Sequence, residues 1–167
     1  MKTLYQTLFV FIAVFAFSAT SIFAQKTSTL PSVSLKNLDN KTLDIKAVAK
    51  EKITVVSFWA TWCAPCKKEL DNIATVYDEW QEKYNVQLVA VSVDDARTTA
   101  KVKTMVNGKG WDYLVLLDSN QELKRALNVT SVPFTFLINQ KGEIVYQHTG
   151  YKEGDELKLL EKIKSLQ

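Results

Sequence analysis

The sequence has 167 residues, 47% of them hydrophobic, which is enough for one domain with a hydrophobic core. Its formal net charge at pH 7 is only +3, and the lysines and arginines are scattered along the chain. This composition excludes an extended nucleic-acid-binding surface, so we expect no nucleic-acid partner.

The first 24 residues are predicted to direct export. Lys2 precedes an apolar stretch at residues 8–19, and small residues lead to a cleavage site after Ala24. We favour a cleaved signal peptide at 1–24 over an uncleaved anchor, since residues 8–24 are at the lower limit of a membrane span. In both cases the protein is expected in the periplasm or otherwise outside the cytoplasm, with residues 25–30 as a short polar tail and 31–167 as the folded domain.

The first elements of the domain are a hairpin, a buried strand and a helix. Residues 33–38 and 41–45 flank a turn-like Asp-Asn pair, which predicts a β-hairpin. Residues 53–60 form a continuous apolar, β-branched run, typical of a strand buried on both faces. At residues 67–84 the apolar positions recur at helical spacing, which predicts one amphipathic helix.

The remaining elements alternate between strands and helices and close with a second hairpin and a helix. We predict strands at residues 86–93, 113–117, 134–139 and 144–148. We predict helices at residues 96–107, 121–127 and 153–166. The last helix is expected to bury Leu157, Leu160 and Ile163. This order of elements predicts an α/β domain with a mixed sheet.

Both cysteines of the chain, Cys63 and Cys66, lie where the buried strand runs into the helix (SFWATWCAPCK, residues 57–67). A thiolate at a helix N-terminus is stabilised by the helix dipole, so Cys63 is the predicted nucleophile and the shielded Cys66 the resolving thiol. A purely structural disulfide is a poor explanation, because so short a loop removes little entropy from the unfolded chain. A zinc site would need two more ligands, and His148, the only histidine, lies at a predicted strand end as an expected surface residue.

The motif FWATWCAPC at residues 58–66, followed by Val132-Pro133 before a strand, resembles the thioredoxin superfamily. The leader, the hairpin and residues 86–118 are similar to its exported bacterial TlpA/ResA branch. The resemblance implies a thioredoxin-like fold, with a central mixed β-sheet flanked by helices and an added N-terminal β-hairpin.

The resemblance also implies the activity of a thiol:disulfide oxidoreductase. Such an enzyme would reduce protein disulfides by dithiol exchange, for example in cytochrome c maturation, with no cofactor beyond the redox-active Cys63–Cys66 disulfide. Its partners would be protein thiol or disulfide substrates and a membrane electron donor, and we expect a monomer. The uncharged pair Ala64-Pro65 argues against a strong oxidant, because nothing in it favours the reduced form.

Substrate contacts are expected around the cysteine pair. In the resembling family the residue that matches Pro133 is a cis-proline beside the cysteines, and the one that matches Val132 offers backbone groups to a bound peptide. Trp62 precedes the thiol and is expected to form part of the rim that peptides touch, together with Ala64 and Pro65. Metal ligands are not expected.

Proton transfer is expected to differ from that in many thioredoxins, which carry a buried aspartate where Ser57 stands here. Glu69, three residues after Cys66, matches a carboxylate that ResA-type proteins place near their cysteines, and it could accept the proton of the resolving thiol. A solvent-exposed helix residue paired with a lysine is the alternative for Glu69, and the sequence leaves both open.

Two other functions remain as alternatives. A peroxiredoxin-like thiol peroxidase would need a threonine three residues before its cysteine, where this chain has Ala60, while Thr61 is one place out of register. A non-catalytic metal-carrier or binding domain with the same fold is the other alternative, and it suffers from the same shortage of metal ligands.

Overall fold

The structure, a computed structural model, describes residues 28–167 of the chain. The predicted signal peptide or anchor at 1–24 lies outside the described residues, as does the beginning of the predicted tail at 25–27. Among residues 28–167, no helix is both long enough and apolar enough to cross a membrane.

Within residues 28–167, seven strands form one mixed sheet, which confirms the predicted α/β architecture and the N-terminal hairpin. The strands are β1 (Ser34–Asn37), β2 (Thr42–Asp44), β3 (Ile53–Trp59), β4 (Val86–Ser92), β5 (Leu114–Leu117), β6 (Phe134–Ile138) and β7 (Ile144–Thr149). Their order in the sheet is β2-β1-β5-β4-β3-β6-β7. Strands β3, β4 and β5 are parallel, and the remaining pairs are antiparallel. Every residue of β3 is buried, because the sheet is covered on both faces.

In the part of the chain that the structure describes, six helices connect and cover the strands. They are α1 (Ile45–Val48), α2 (Ala64–Ala74), α3 (Tyr77–Tyr84), α4 (Ala100–Lys109), α5 (Glu122–Ala126) and α6 (Asp155–Lys164). Helix α1 was not predicted from the sequence. It follows directly on β2, and the Asp44 side chain caps it by accepting a hydrogen bond from the Ala47 N–H at 3.0 Å.

The helix predicted at residues 67–84 is in fact two helices, which was an error of the sequence analysis. Helix α2 begins earlier, at Ala64, and α3 begins at Tyr77 after a break at Thr75 and Val76. At the break the Thr75 hydroxyl donates to the Asn72 carbonyl at 2.7 Å, a side-chain bond that competes with the regular helical ladder. The predicted apolar stripe is nevertheless correct, because α2 and α3 bury its large side chains against the same core.

Helix α4 begins at Ala100, four residues later than predicted. The Asp95 carboxylate accepts hydrogen bonds from the backbone N–H groups of Arg97 and Thr98, at 3.0 and 3.1 Å, and holds the preceding segment in turns. Gly110 ends the helix with φ of 66°, a conformation that favours glycine.

The last helix was placed correctly, but one of its predicted core residues was wrong. Leu157 is 61% exposed, whereas Leu159 is 1% exposed and Ile163 is fully buried. Residues two positions apart in a helix are separated by about 200° around its axis, so burying Leu159 turns Leu157 outward. Leu160 is half-buried at the margin of the core, partly as predicted.

The end of the predicted tail lies along the β6–β7 hairpin. Leu30 is fully buried, and its N–H donates to the Gly142 carbonyl at 3.0 Å. The Ile144 N–H donates to the Ser28 carbonyl at 2.8 Å. These contacts add a short extension to the hairpin end farthest from the cysteines.

Candidate active site at the carboxyl end of strand β3

The cysteine pair lies where β3 gives way to α2. Cys63 is the N-cap residue of α2, with extended backbone angles, and it forms a disulfide with Cys66 inside the first turn. The Cys66 N–H donates to the Cys63 Sγ at 3.3 Å, as expected of a free N–H at a helix N-terminus. Pro65 occupies a first-turn position, where its missing N–H removes no helical hydrogen bond.

The two sulfur-bearing residues differ in accessibility. Cys63 is 5% exposed and Cys66 is fully buried. Around Cys63, the Trp62 side chain stands out with 65% exposure, and Ala64 and Pro65 are also exposed. An incoming disulfide can therefore reach Cys63 across an apolar rim, whereas it meets no exposed part of Cys66.

Asp94 anchors the loop that carries Cys63. This carboxylate, 1% exposed, accepts hydrogen bonds from the Thr61 N–H at 2.9 Å and from the Thr61 hydroxyl at 2.6 Å. The Ser92 hydroxyl donates to it at 2.9 Å. The Thr61 hydroxyl is thus committed to Asp94. On the outer side, Lys67 Nζ donates to the Thr61 carbonyl at 3.1 Å.

The contact between Asp94 and Thr61 was not predicted from the sequence. The signal was nevertheless present, because Asp94 follows the end of β4, the parallel neighbour of β3. The carboxyl ends of neighbouring parallel strands meet at one edge of a sheet. A polar residue just after β4 is therefore near whatever follows β3.

The Val132–Pro133 bond is cis, as the resemblance implied. Phe134, the next residue, lies opposite Phe58 in the β3–β6 ladder, so Pro133 adjoins the end of β3 from which the cysteine loop departs. Pro133 is buried and Val132 is half-buried. The Pro133 carbonyl accepts a hydrogen bond from Gly150 N–H at 2.9 Å, which ties this loop to the end of β7.

Glu69 is buried beneath α2, with an exposed fraction of 1%. The alternative of a solvent-exposed residue paired with a lysine is therefore wrong. Its Oε1 accepts a hydrogen bond from the Thr135 hydroxyl at 2.7 Å and lies 3.3 Å from His148 Nε2. Cys66 and Glu69 share the buried face of α2 and are one turn apart, at a spacing that makes helical side chains neighbours.

His148 is also not the surface residue that was expected. Its side chain is only 16% exposed and faces Glu69. The sequence could not show this contact, because it depends on the register of β6 with β7 and on the rotation of α2 above them.

Glu69 also influences Tyr113, whose pKa is raised, chiefly by burial and further by the nearby charges of Asp71, Asp112 and Glu69.

Within residues 28–167, no three or more histidine, cysteine, aspartate or glutamate side chains are grouped in a way that could hold a metal ion. The arrangement that is present joins a slightly exposed cysteine, a fully buried cysteine and a buried carboxyl group at one helix end. It can exchange a disulfide between Cys63–Cys66 and another molecule.

Comparison with known proteins agrees with this chemistry. The Redoxin family model matches residues 25–163. The thiol-disulfide oxidoreductase ResA of Bacillus thuringiensis (strain Al Hakam) is 32% identical over 127 residues, which is 76% of this chain and 71% of that protein. The sporulation thiol-disulfide oxidoreductase A of Bacillus subtilis (strain 168) is 32% identical over 136 residues, covering 80% of this chain and 81% of that one.

Among solved structures, a thioredoxin-like protein from Porphyromonas gingivalis is 46% identical, with a TM-score of 0.72. The match covers 82% of this chain and 90% of that one. Both the fold and the cysteine pair are thus accounted for by one group of proteins. The chain belongs to the Redoxin family and, within the thioredoxin superfamily, it is a thiol:disulfide oxidoreductase of the ResA type.

Proposed function

We propose that the protein is exported and acts as a reductant of protein disulfides. One observation carries the proposal: Cys63, at the N-cap of α2, has its sulfur against the Cys66 N–H, with the exposed Trp62 beside it. Helix N-termini stabilise a thiolate, and an exposed aromatic rim suits an unfolded or flexible peptide. The uncharged Ala64-Pro65 pair adds nothing that would make the protein a strong oxidant.

The proposed reaction transfers two electrons to the substrate. The Cys63 thiolate attacks one sulfur of a substrate disulfide, so a mixed disulfide forms and the other substrate sulfur leaves as a thiolate. The Cys66 thiol then loses its proton, and its thiolate attacks Cys63 Sγ. This step forms the Cys63–Cys66 disulfide and releases the second substrate sulfur.

Glu69 is the proposed acceptor of the Cys66 proton. Two facts support this role: the carboxyl group is buried on the same face of α2 as Cys66, and its Oε2 has no hydrogen-bond partner within residues 28–167. A carboxylate so placed is available to a proton from the neighbouring thiol. Val132, Pro133, Trp62, Ala64 and Pro65 are proposed to contact the substrate chain around Cys63.

Export and the physiological partners complete the proposal. The leader at residues 1–24 would place the enzyme outside the cytoplasm, where a membrane protein must supply the electrons that regenerate the dithiol. Apocytochrome c cysteines are the proposed substrate class. Mass spectrometry of the protein expressed in a bacterium tests the export: a mature chain that begins at Gln25, or an intact chain in the membrane fraction, supports it. An intact chain in the cytoplasm contradicts it.

A Cys66→Ser variant tests the exchange itself. Without the resolving thiol, mixed disulfides between Cys63 and exported proteins should accumulate and be released by dithiothreitol. The matched control, Cys63→Ser, should trap none. If the purified wild-type protein, supplied with a dithiol, fails to reduce any model protein disulfide, the proposed reductase function is wrong.

The direction of electron flow is tested by equilibrating the cysteine pair with glutathione. A reduction potential near about −270 mV, the value of thioredoxin, is expected for a reductant. A potential near about −120 mV, typical of a strong oxidant, would contradict the proposed direction while leaving the exchange chemistry intact.

A further inference from the structure

Beneath Glu69, a row of polar side chains crosses three strands of the sheet. Ser57 of β3 lies opposite Thr135 of β6, which lies opposite His148 of β7. Residues directly opposite one another in antiparallel strands project to the same face, so all three point toward α2. Glu69 reaches this row from above and contacts both Thr135 and His148.

The His148 ring lacks the hydrogen bonds that a buried imidazole needs. Both ring nitrogens are buried, and neither has a hydrogen-bond partner in the described part of the chain. Nε2 lies 3.3 Å from Glu69 Oε1, within ion-pair distance but not aligned for a hydrogen bond. Buried polar atoms without partners are rare, and they often serve a reaction rather than stability.

The charged and titratable groups around His148 come from three elements. Glu69 faces it from α2, and Tyr146 lies two residues before it on β7, with ring centroids 5.8 Å apart. Asp155 approaches from α6; its pKa is lowered mainly by a hydrogen bond from Lys158, and also by the charge of His148. A positive charge on the ring would thus be close enough to interact with two carboxylates, those of Glu69 and Asp155.

We propose that His148 is a positioning residue that shares with Glu69 the proton released by Cys66, so that the Glu69–His148 pair, rather than Glu69 alone, is the acceptor. The inference rests on the proposed role of Glu69 in the exchange reaction. The proton leaves Cys66 Sγ for the Glu69 carboxylate and moves from Glu69 Oε1 to His148 Nε2. The products are a carboxylate, an imidazolium and the Cys66 thiolate that attacks Cys63.

The pair offers a physical advantage over a lone carboxylate. A buried carboxyl group that keeps the proton must release it before the next cycle, and it has little access to water because its side chain is only 2% exposed. The His148 side chain is 16% exposed and lies on β7, an edge strand of the sheet. The imidazole ring therefore lies nearer to the surface than the carboxyl group, while its two nitrogens are themselves buried.

The test separates the two chemical steps in a single turnover of the reduced protein with 5,5′-dithiobis(2-nitrobenzoate). The first phase reports the attack by Cys63, and the second reports the release of its mixed disulfide by Cys66. In His148→Gln we expect the first phase to be unchanged and the second phase to be slower by roughly tenfold. This loss is a part of the roughly 10²- to 10⁴-fold acceleration that a positioned proton-transfer group typically provides.

The pH profile distinguishes proton sharing from a merely structural role. In the parent protein the second phase should slow below an inflection between pH 5 and 8, where an imidazole becomes charged and can take no further proton. That inflection should be absent from His148→Gln. If it persists there, or if the second phase keeps its parental rate, the inference is overturned.

A measurement independent of activity uses the fact that His148 is the only histidine of the chain. The NMR signals of its ring should change in Glu69→Gln, because the carboxylate 3.3 Å from Nε2 has been replaced by an amide. The matched control Glu161→Gln, on the exposed surface of α6, should leave these signals where they were. Identical ring signals for Glu69→Gln and the parent would overturn the inference even if His148→Gln fails to fold.

The two proposals fail in different ways. A second phase slowed in Glu69→Gln but not in His148→Gln would keep Glu69 as the acceptor and remove His148 from the reaction. A second phase unchanged in both variants would contradict the role of Glu69 itself. Loss of the first phase in the parent would contradict the exchange reaction as a whole.

Discussion

Asp94 accepts hydrogen bonds from both the backbone N–H and the hydroxyl of Thr61, which lies 33 positions earlier in the chain. The contact joins the end of β4 to the loop that presents Cys63. Because the carboxylate is 1% exposed, it is shielded from water that would otherwise compete for these donors. The position of Cys63 thus depends on a residue that follows a different strand.

Replacing Asp94 with alanine should therefore loosen the cysteine loop. Two buried donors of Thr61 would lose a charged partner, which should lower the free energy of unfolding by about 3 kcal/mol. Urea denaturation would measure the loss. Asp39→Ala is the matched control, since Asp39 is exposed and makes only a surface ion pair with Lys103, and it should change stability by less than about 1 kcal/mol. Equal effects of the two substitutions would refute the anchoring role.

Replacing the two tryptophans that flank the site with alanine should change different properties, the activity for Trp62 and the stability for Trp59. Trp62 is 65% exposed, so Trp62→Ala should change stability by less than about 0.5 kcal/mol but slow the reduction of protein disulfides. Trp59 is fully buried against Trp111, and Trp59→Ala should cost about 3–5 kcal/mol. Thermal denaturation measures the stability of the two variants, and turnover of a model protein disulfide measures their activity. Normal turnover of Trp62→Ala would argue against a substrate rim.

Leu157 and Leu159 provide a test of the rotation of α6. Leu159→Ala should destabilise the protein by about 2–5 kcal/mol, because it leaves a cavity under the helix. Leu157→Ala, the same change at an exposed position of the same helix, should have an effect within about 0.5 kcal/mol. Denaturant titration of the two variants would show a reversed order if the helix were rotated as the sequence analysis expected.

Asp44 should make stability depend on pH. The hydrogen bond from the Ser32 hydroxyl holds its pKa below the ordinary value, and the Ala47 N–H acts in the same direction. A carboxyl group whose pKa is lower in the folded than in the unfolded protein stabilises the fold at any pH above its unfolded-state pKa of about 3.9. This stabilisation is lost as the pH falls through the folded-state pKa. Asp44→Ala should therefore cost about 1 kcal/mol at pH 7, and less and less below pH ~4.

Asp44→Asn is the informative companion of this substitution. An asparagine still accepts the cap hydrogen bond but does not titrate, so most of the stability at pH 7 should remain. The part of this stabilisation that depends on pH should disappear, which denaturation measured between about pH 2 and 7 would show. If the difference in stability between Asp44→Ala and the parent were constant over this pH range, the lowered pKa of Asp44 would not be its cause.

Sequence reasoning succeeded where local patterns decide the structure. The continuous apolar run of β3 predicted a strand buried on both faces, and the spacing of Cys63 and Cys66 at its end predicted a disulfide at a helix N-terminus; both are observed. These features depend on residues close in the chain, so the sequence contains their causes.

Features that depend on contacts between distant elements could not be predicted from the sequence. The burial of Glu69 could not be distinguished from exposure, because three-residue spacing from Cys66 fits either outcome until α2 is docked on the sheet. His148 and Asp94 owe their roles to strand register, which joins residues far apart in the chain. At the break after Ala74 the Thr75 hydroxyl bonds to a backbone carbonyl, a contact that a stripe of apolar residues does not indicate.

The N-terminal hairpin has a consequence for how the sheet meets its surroundings. Strand β5 consists of four apolar residues, LVLL, and without β1 it would present a free hydrophobic edge. Such an edge is a template for pairing with another chain. Pairing with β1 moves the border of the described sheet outward to β2, which has only three residues, two of them polar. The hairpin thus covers an apolar edge strand at which this sheet could otherwise pair with that of another molecule.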